Sequence, residues 1–178
     1  DYFRANKMRL KSVTFATLDE ALKAYDTGRC DAYTTDASQL YSVRLKLARP
    51  DEHVVLPEIV SKEPFAAFVR HGDDQWFDIV RWVVFAMLNA EEFGITKANI
   101  DEQAKSDNPE IKRLLGTEGN FGEALGLTKD WVVRIVKLVG NYGEVFERTI
   151  GQNTPLKISR GQNALWTKGG LHYAPPVR

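Results

Sequence analysis

The chain has 178 residues, with 24 basic and 24 acidic side chains, so its formal net charge at pH 7 is zero. A neutral balance gives no electrostatic footprint for nucleic acid or for an anionic membrane surface. Hydrophobic content of 43% is ordinary for a soluble globular protein, and the length allows one large or two small domains. The apolar run 82–88 is far too short to span a bilayer, and the polar first residues contain no signal-peptide apolar region.

The first sixty residues alternate between short apolar segments and helical patterns. The pattern predicts strands over 12–15, 32–35 and 54–56, with helices over 18–26 and 36–48 between them. Thr17 is positioned to cap the first helix, and Gly28 stops it. This order predicts an α/β fold with a parallel sheet, right-handed crossovers and flanking helices.

The remainder of the chain is predicted to be mainly helical. Two prolines and mixed charges over 57–64, followed by an apolar stretch, indicate a segment that crosses between lobes. Helical periodicity then predicts a long helix over 75–93, which contributes an apolar face, and another over 129–150. The apolar face of the first is predicted to include Trp76, Ile79, Val80, Val83, Val84, Met87 and Leu88. Residues 151–178 are expected to form an irregular packed arm, anchored by Trp166, Leu171 and Tyr173.

Asp36 is the candidate site residue that the local pattern singles out. It follows the predicted strand that ends at Thr35, and open α/β sheets bind ligands at the carboxyl ends of their strands. Asp is also a preferred helix N-cap. Spacing alone favours capping over ligand contact, because capping residues are common and sites are few.

Catalytic and metal chemistry find no support in the sequence. Cys30 is the single cysteine, and the three histidines match no zinc-ligand spacing. Nucleophile elbows, phosphate-binding loops and metal-binding helices do not occur. The expectation is a protein that is not an enzyme, with no catalytic residue, no cofactor and no metal.

Three runs, together with the tail, resemble one known family. They are Gly-Arg-Cys-Asp-Ala-Tyr-Thr-Thr-Asp-Ala-Ser over 28–38, the crossing segment 61–65 with Arg-His-Gly-Asp-Asp over 70–74, and Gly-Asn-Tyr-Gly-Glu-Val-Phe over 140–146. The tail over 163–176 is similar to that of the general L-amino-acid-binding branch. The chain thus resembles periplasmic amino-acid-binding proteins of ABC importers, which have the type II periplasmic-binding fold.

The resemblance implies that the chain is the C-terminal half of a two-lobed protein. Residues 1–60 would belong to the second lobe, 61–68 to the hinge crossing, and 69–178 to a helical return to the first lobe with a C-terminal arm. The residues that bind the ligand carboxylate would lie upstream.

The resemblance also implies roles for particular residues. Asp36 matches the family position that accepts the ligand's α-ammonium group, and Thr35 a position that can face the ligand side chain. Lys62 and Glu63 would lie at the hinge and are further candidate ligand-binding residues. Cys30 would pair with an upstream cysteine, as an oxidising periplasm permits.

The function implied is solute binding in the periplasm. The partners would be an L-amino acid, an ABC permease complex in the inner membrane and the upstream half of the same protein. One alternative is a truncated fragment without ligand affinity, whose exposed apolar surface would favour self-association or strand exchange. Others are an enzyme of the same fold, such as a cyclic-acid dehydratase, and the effector domain of a transcription regulator.

Overall fold

The computed structural model describes residues 1–62 and 64–177. The chain divides into two compact units, Asp1–Phe65 and Ala66–Arg178, and each is described here by itself. Within the described ranges, no helix combines the length and the apolar character needed to cross a membrane.

Unit 1 contains three α-helices: α1 (Tyr2–Ala5), α2 (Leu18–Asp26) and α3 (Ala37–Arg44), with a 3₁₀ turn at Pro50–Glu52. The predicted boundaries of α2 are confirmed. Thr17 Oγ1 accepts a hydrogen bond from the Glu20 amide at 3.3 Å, and Gly28 follows the helix with a φ of 76°. The second predicted helix is shorter than expected, because the amides of residues 46 and 47 bond three residues back and so tighten and end α3.

The predicted parallel sheet is not confirmed. Among the described residues, segments 12–15, 32–35 and 54–56 contain no strand, and the pairing found is an isolated bridge between Leu165 and His172 in unit 2. A strand is stabilised by hydrogen bonds to a neighbouring strand. The apolar pattern of a short segment depends only on the residues of that segment, so it does not show whether a partner strand is present. Val54 and Leu56 are exposed accordingly.

Unit 2 is helical and contains the larger core. Its helices are α4 (Asp74–Glu92), α5 (Ile100–Gln103), α6 (Pro109–Leu115), α7 (Phe121–Ala124), α8 (Trp131–Val139) and α9 (Tyr142–Thr149), followed by 3₁₀ turns at Gly161–Asn163 and Trp166–Lys168. Helix α4 packs against α6, α8 and α9. The core side chains are Ala86, Ala90, Ile95, Ile100, Ile111, Leu114, Leu115, Trp131, Val132, Val136 and Val177.

The long helix α4 is confirmed, but its predicted apolar face is partly wrong. Its first turn is capped by Asp73, whose Oδ1 accepts from the Trp76 amide at 3.1 Å. Trp76 and Val84 are exposed, whereas Ala86 and Ala90 are fully buried. The buried face therefore includes the small residues, which let neighbouring helices approach α4 closely.

The single helix predicted over 129–150 is two helices. Gly140 separates α8 from α9 with φ 86° and ψ −176°, a conformation that glycine adopts readily. Asn141 then caps α9 in a capping box: its Oδ1 accepts from the Glu144 amide, and a Glu144 carboxylate oxygen accepts from the Asn141 amide.

The arm contacts α4 through one predicted anchor, since Trp166 Nε1 donates to a Glu92 carboxylate oxygen at 3.1 Å, but its buried side chains are not the predicted ones. Trp166, Leu171 and Tyr173 are all exposed. Leu165 and Val177 are buried instead. Leu165 and Leu171 carry the same side chain, so the residue type does not distinguish the buried one from the exposed one; the turns of the arm decide which side chains face inward.

Candidate functional site

Asp36 stands at the N-cap position of α3, with φ −55° and ψ 141°. Among the described residues, its half-buried carboxylate accepts no hydrogen bond from the first turn of that helix. The sequence therefore placed Asp36 correctly at the helix start, but capping does not occupy its side chain. A carboxylate with its oxygens free of the helix can accept hydrogen bonds from another group.

Thr35 lies beside Asp36 and is also half-buried. Its hydroxyl donates a short hydrogen bond to the Gln39 side-chain carbonyl, one turn into α3. This bond fixes the position of the hydroxyl oxygen and leaves its lone pairs free to accept. Asp36 and Thr35, which are adjacent in the chain, thus both carry oxygen atoms at the start of α3 that can accept hydrogen bonds, and their contact with a ligand stays a prediction.

The two predicted hinge residues are not placed in this site. Lys62 is exposed, and Glu63 lies outside the described residues. Their roles stay predictions.

A cluster of rings in the same unit was missed by sequence reasoning. Tyr25 lies with its ring centroid 6.2 Å from that of Tyr33 and 5.2 Å from that of His53. A hydrogen bond of 2.8 Å joins the Tyr25 hydroxyl to His53 Nδ1. Burial raises the pKa of the Tyr33 phenol. Tyr25 lies in α2, and His53, 28 residues later, carries no local signal of this contact.

Other site chemistry is sparse in the described part of the chain. Cys30 is a half-buried free thiol, and no group of three or more potential metal-ligating side chains occurs there. Unit 1 has an open cavity of about 200 Å³ that is lined by neither Asp36 nor Thr35. Its lining residues are Asp19, Leu22, Lys23, Asp26, Lys46 and Leu47. This cavity is therefore separate from the acceptor groups at the start of α3.

Comparison with known proteins finds relatives that are named as amino-acid-binding proteins or amino-acid transporter-binding proteins. No family model matches the chain. It is 62% identical to the general L-amino acid-binding periplasmic protein AapJ of Rhizobium johnstonii, across 100% of this chain and 53% of that protein. It is 55% identical to YhdW of Escherichia coli K12, a putative amino-acid ABC transporter-binding protein, across 52% of that protein. It is 52% identical to BztA of Rhodobacter capsulatus, a glutamate/glutamine/aspartate/asparagine-binding protein, across 53% of that protein.

A solved structure gives the same assignment. An ABC transporter periplasmic binding protein from Brucella ovis, with glutathione bound, matches with a TM-score of 0.88 and 65% identity. The match covers 99% of this chain and 56% of that one. The chain spans about half the length of the curated relatives it matches. It is therefore a homologue of the periplasmic amino-acid-binding proteins of ABC transporters.

Proposed function

We propose that this chain forms part of the solute-binding component of an amino-acid ABC importer. The complete protein would bind an L-amino acid between two lobes in the periplasm and deliver it to a permease complex in the inner membrane. It would not be an enzyme. The observation that carries the proposal is the Asp36 carboxylate, free of its helix, in a chain 62% identical to a general L-amino-acid-binding protein.

The chemistry of an amino-acid zwitterion matches the groups at the start of α3. The α-ammonium group donates three hydrogen bonds and carries a positive charge, which a carboxylate complements. Asp36 would accept one or more of these bonds, and charge-assisted hydrogen bonds of this kind are about twice as strong as neutral ones. Thr35, whose oxygen is fixed by Gln39, would face the ligand side chain.

The α-carboxylate of the ligand needs cationic or backbone donors. We infer that they belong to the portion of the longer relatives that this chain does not span, as the C-terminal-half assignment requires. Residues 1–60 would then contribute to one lobe, 61–68, with Lys62 and Glu63, to the hinge, and 69–178 to the other lobe. Strand partners for 12–15, 32–35 and 54–56 would complete the parallel sheet, and ligand would select the closed state of the lobes.

The range of ligands follows from the group that they share. BztA is named for four amino acids with acidic or amide side chains, and the Brucella ovis protein holds glutathione. Glutathione carries a free α-ammonium and α-carboxylate on its γ-glutamyl residue. A site that binds the α-ammonium and α-carboxylate groups and makes few contacts with the side chain would accept both amino acids and glutathione. Both kinds of ligand are therefore included in the binding test.

Isothermal titration with L-glutamate, L-glutamine and glutathione tests the proposal. It would be run on this chain and on the longer protein that contains it. Asp36→Asn keeps the side-chain shape and removes the charge, so we expect affinity to fall about 10- to 100-fold, the value of a hydrogen bond to a charged group. The matched control is Asp31→Asn, at an exposed position five residues earlier. Unchanged affinity in Asp36→Asn would contradict the assignment of the ammonium contact.

Native mass measurement distinguishes the truncated-fragment alternative. A species near 20.1 kDa, or a multiple of it, that shows no shift with L-amino acids would mean that this chain has no affinity of its own. Multiples would also reveal self-association or strand exchange through exposed apolar side chains. Binding by the longer protein alone would leave the proposed function intact and place the missing donors outside this chain.

A further inference from the structure

His172 occupies an unusual position for an ionisable side chain. Its ring lies edge-on to Tyr142 of α9, with the centroids 4.6 Å apart and the planes at 77°. Its Nδ1 atom is buried and has no hydrogen-bond partner among the described residues. A buried ring nitrogen without a partner has lost its hydration and gained nothing in exchange.

A fixed positive charge lies in the same cluster. The Arg160 guanidinium is 5.3 Å from the centroid of Tyr142 and 5.1 Å from that of Phe146. It is held there by two hydrogen bonds to the Glu91 carboxylate of α4, at 3.0 and 2.9 Å. The charged and titratable groups around His172 are thus Glu91 from α4, Tyr142 from α9 and Arg160 from the arm itself.

The backbone of His172 forms two hydrogen bonds within the arm, one on each side of the buried Leu165. Its amide donates to the Ala164 carbonyl at 3.1 Å, and its carbonyl accepts from the Trp166 amide at 2.9 Å. Leu165, between these two partners, is almost fully buried. A displacement of His172 therefore pulls on the segment that holds Leu165 in place.

Burial lowers the pKa of His172, and the Arg160 charge lowers that pKa further, whereas Glu91 acts in the opposite direction. The neutral imidazole is thus favoured in the docked arm relative to a free one. A lowered pKa in the folded state gives stability that is present above the unfolded value, about 6.5, and is lost as the pH falls below it.

We propose that the arm, residues 151–177, is a pH-sensitive strap that is docked on α4 and α9 while His172 is neutral and loosens when His172 takes up a proton. Protonation would bring a second cation into a half-buried cluster where the Glu91 carboxylate is already paired with Arg160. The strap would begin to respond as the pH falls below about 6.5, the ordinary pKa of histidine.

Hydrogen exchange of the arm amides tests the strap. The full chain would be compared between pH 7.5 and 5.5, after correction for intrinsic exchange rates, with the amides of α8 as the internal reference. We expect protection of the arm to fall relative to α8, by at most about tenfold per pH unit, the limit for one proton. His172→Phe keeps an aromatic ring against Tyr142 and cannot titrate, so in this variant the arm should respond to pH as α8 does.

The control is His71→Gln, because His71 is exposed in the turn before α4. This variant should keep the full response of the arm. An arm response that persists in His172→Phe, or one that disappears in His71→Gln, would overturn the proposal.

Should His172→Phe fail to fold, NMR titration of the unmodified chain decides. It holds three histidines, so their ring signals can be assigned individually. His172 should titrate below about 6.5, the ordinary pKa of histidine, with shifts in arm resonances that follow the same curve. Titration of His172 at or above about 6.5, or without the arm resonances, would refute the strap. None of these readings involves amino-acid binding, so they are independent of the proposed function.

Discussion

The Arg160 guanidinium and the Glu91 carboxylate form a bidentate ion pair between the arm and α4, across 69 residues of sequence. The side chains are only 19% and 9% exposed, and Arg160 also donates to the Asn163 carbonyl. Two-pronged pairs of this kind combine strength with a fixed orientation. In the described part of unit 2, this pair fixes where the arm meets the helical core.

Glu91→Gln should therefore destabilise unit 2 by about 3 kcal/mol. Removing one partner of a buried pair leaves the other charge uncompensated and costs about 3–5 kcal/mol, and the partial exposure of Arg160 puts the loss at the low end. All four tryptophans lie between residues 76 and 166, so urea unfolding followed by tryptophan fluorescence reports on unit 2.

The matched control for this variant is Asp78→Asn, on the same helix. Asp78 pairs with Arg81 at 2.7 Å, but both side chains are nearly half exposed. Exposed pairs contribute about 0–1 kcal/mol, so this change should be close to neutral. Equal losses in the two variants would mean that the Arg160 pair gains nothing from its burial.

The sign of the stability change in Gly143→Ala tests whether the Arg160–Glu91 pair crowds α9. Alanine is favoured over glycine inside a helix by up to about 1 kcal/mol, so an open position in α9 would be stabilised. A Cβ at this residue would lie 2.9 Å from Arg160 Nη1 and 2.9 Å from Glu91 Cδ. Because the ion pair holds both groups in place, we expect a net loss of about 1–2 kcal/mol.

The same change in an Arg160→Met background separates crowding from propensity. With the guanidinium gone, the Glu91 carboxylate is no longer held by the ion pair and can move away from the new methyl group, so Gly143→Ala should become neutral or stabilising. Coupling of this kind is expected for residues in contact. Additive losses in the double variant would show that the ion pair is not what opposes the methyl group.

The elements that the sequence predicted well are those set by neighbouring residues. Helix α2 has its cap, Thr17, and its stop, Gly28, within a few residues of an amphipathic pattern, and its boundaries were correct. Gly140 lies inside the helix predicted over 129–150, but whether a glycine bends a helix or divides it depends on the cap that follows. Asn141 supplies that cap.

The features that the sequence could not predict depend on distant contacts. Arg160 and Glu91 carry no local sign of each other, and neither His172 nor Leu165 stands out from its neighbours. The same holds for Asp36: spacing placed it at the start of a helix, but only the structure shows that the first turn does not use its carboxylate. The predicted strands failed for the converse reason, since they need partners that local apolar patterns do not reveal.

Asn141 should be the most costly of the helix caps to remove. It is buried, and besides capping α9 its Nδ2 donates to the Ile95 carbonyl at 2.8 Å. Asn141→Ala loses a cap, at about 1 kcal/mol, and leaves a buried carbonyl without its partner, so we expect a loss of about 2–3 kcal/mol. Asn108→Ala is the comparison, because Asn108 caps α6 at an exposed position and should cost about 1 kcal/mol. Asn141→Ser should fall between them, since its hydroxyl oxygen keeps an acceptor for the cap and the amide donor is lost. A loss in Asn141→Ala no larger than that in Asn108→Ala would contradict the Ile95 contact.

Gly116 and Gly119 form a matched pair for separating backbone strain from steric conflict. Both lie in unit 2 with left-handed backbone, at φ 76° and 81°. A Cβ at Gly119 would meet nothing within 4 Å, whereas one at Gly116 would overlap the Lys129 backbone carbonyl. Gly119→Ala should thus cost about 1 kcal/mol, the strain of a left-handed alanine. Gly116→Ala should cost about 3 kcal/mol or more, because the chain before α8 must also move. Urea unfolding of the two variants checks this difference, and equal losses would show that the approach of Lys129 to Gly116 is not a constraint on the fold.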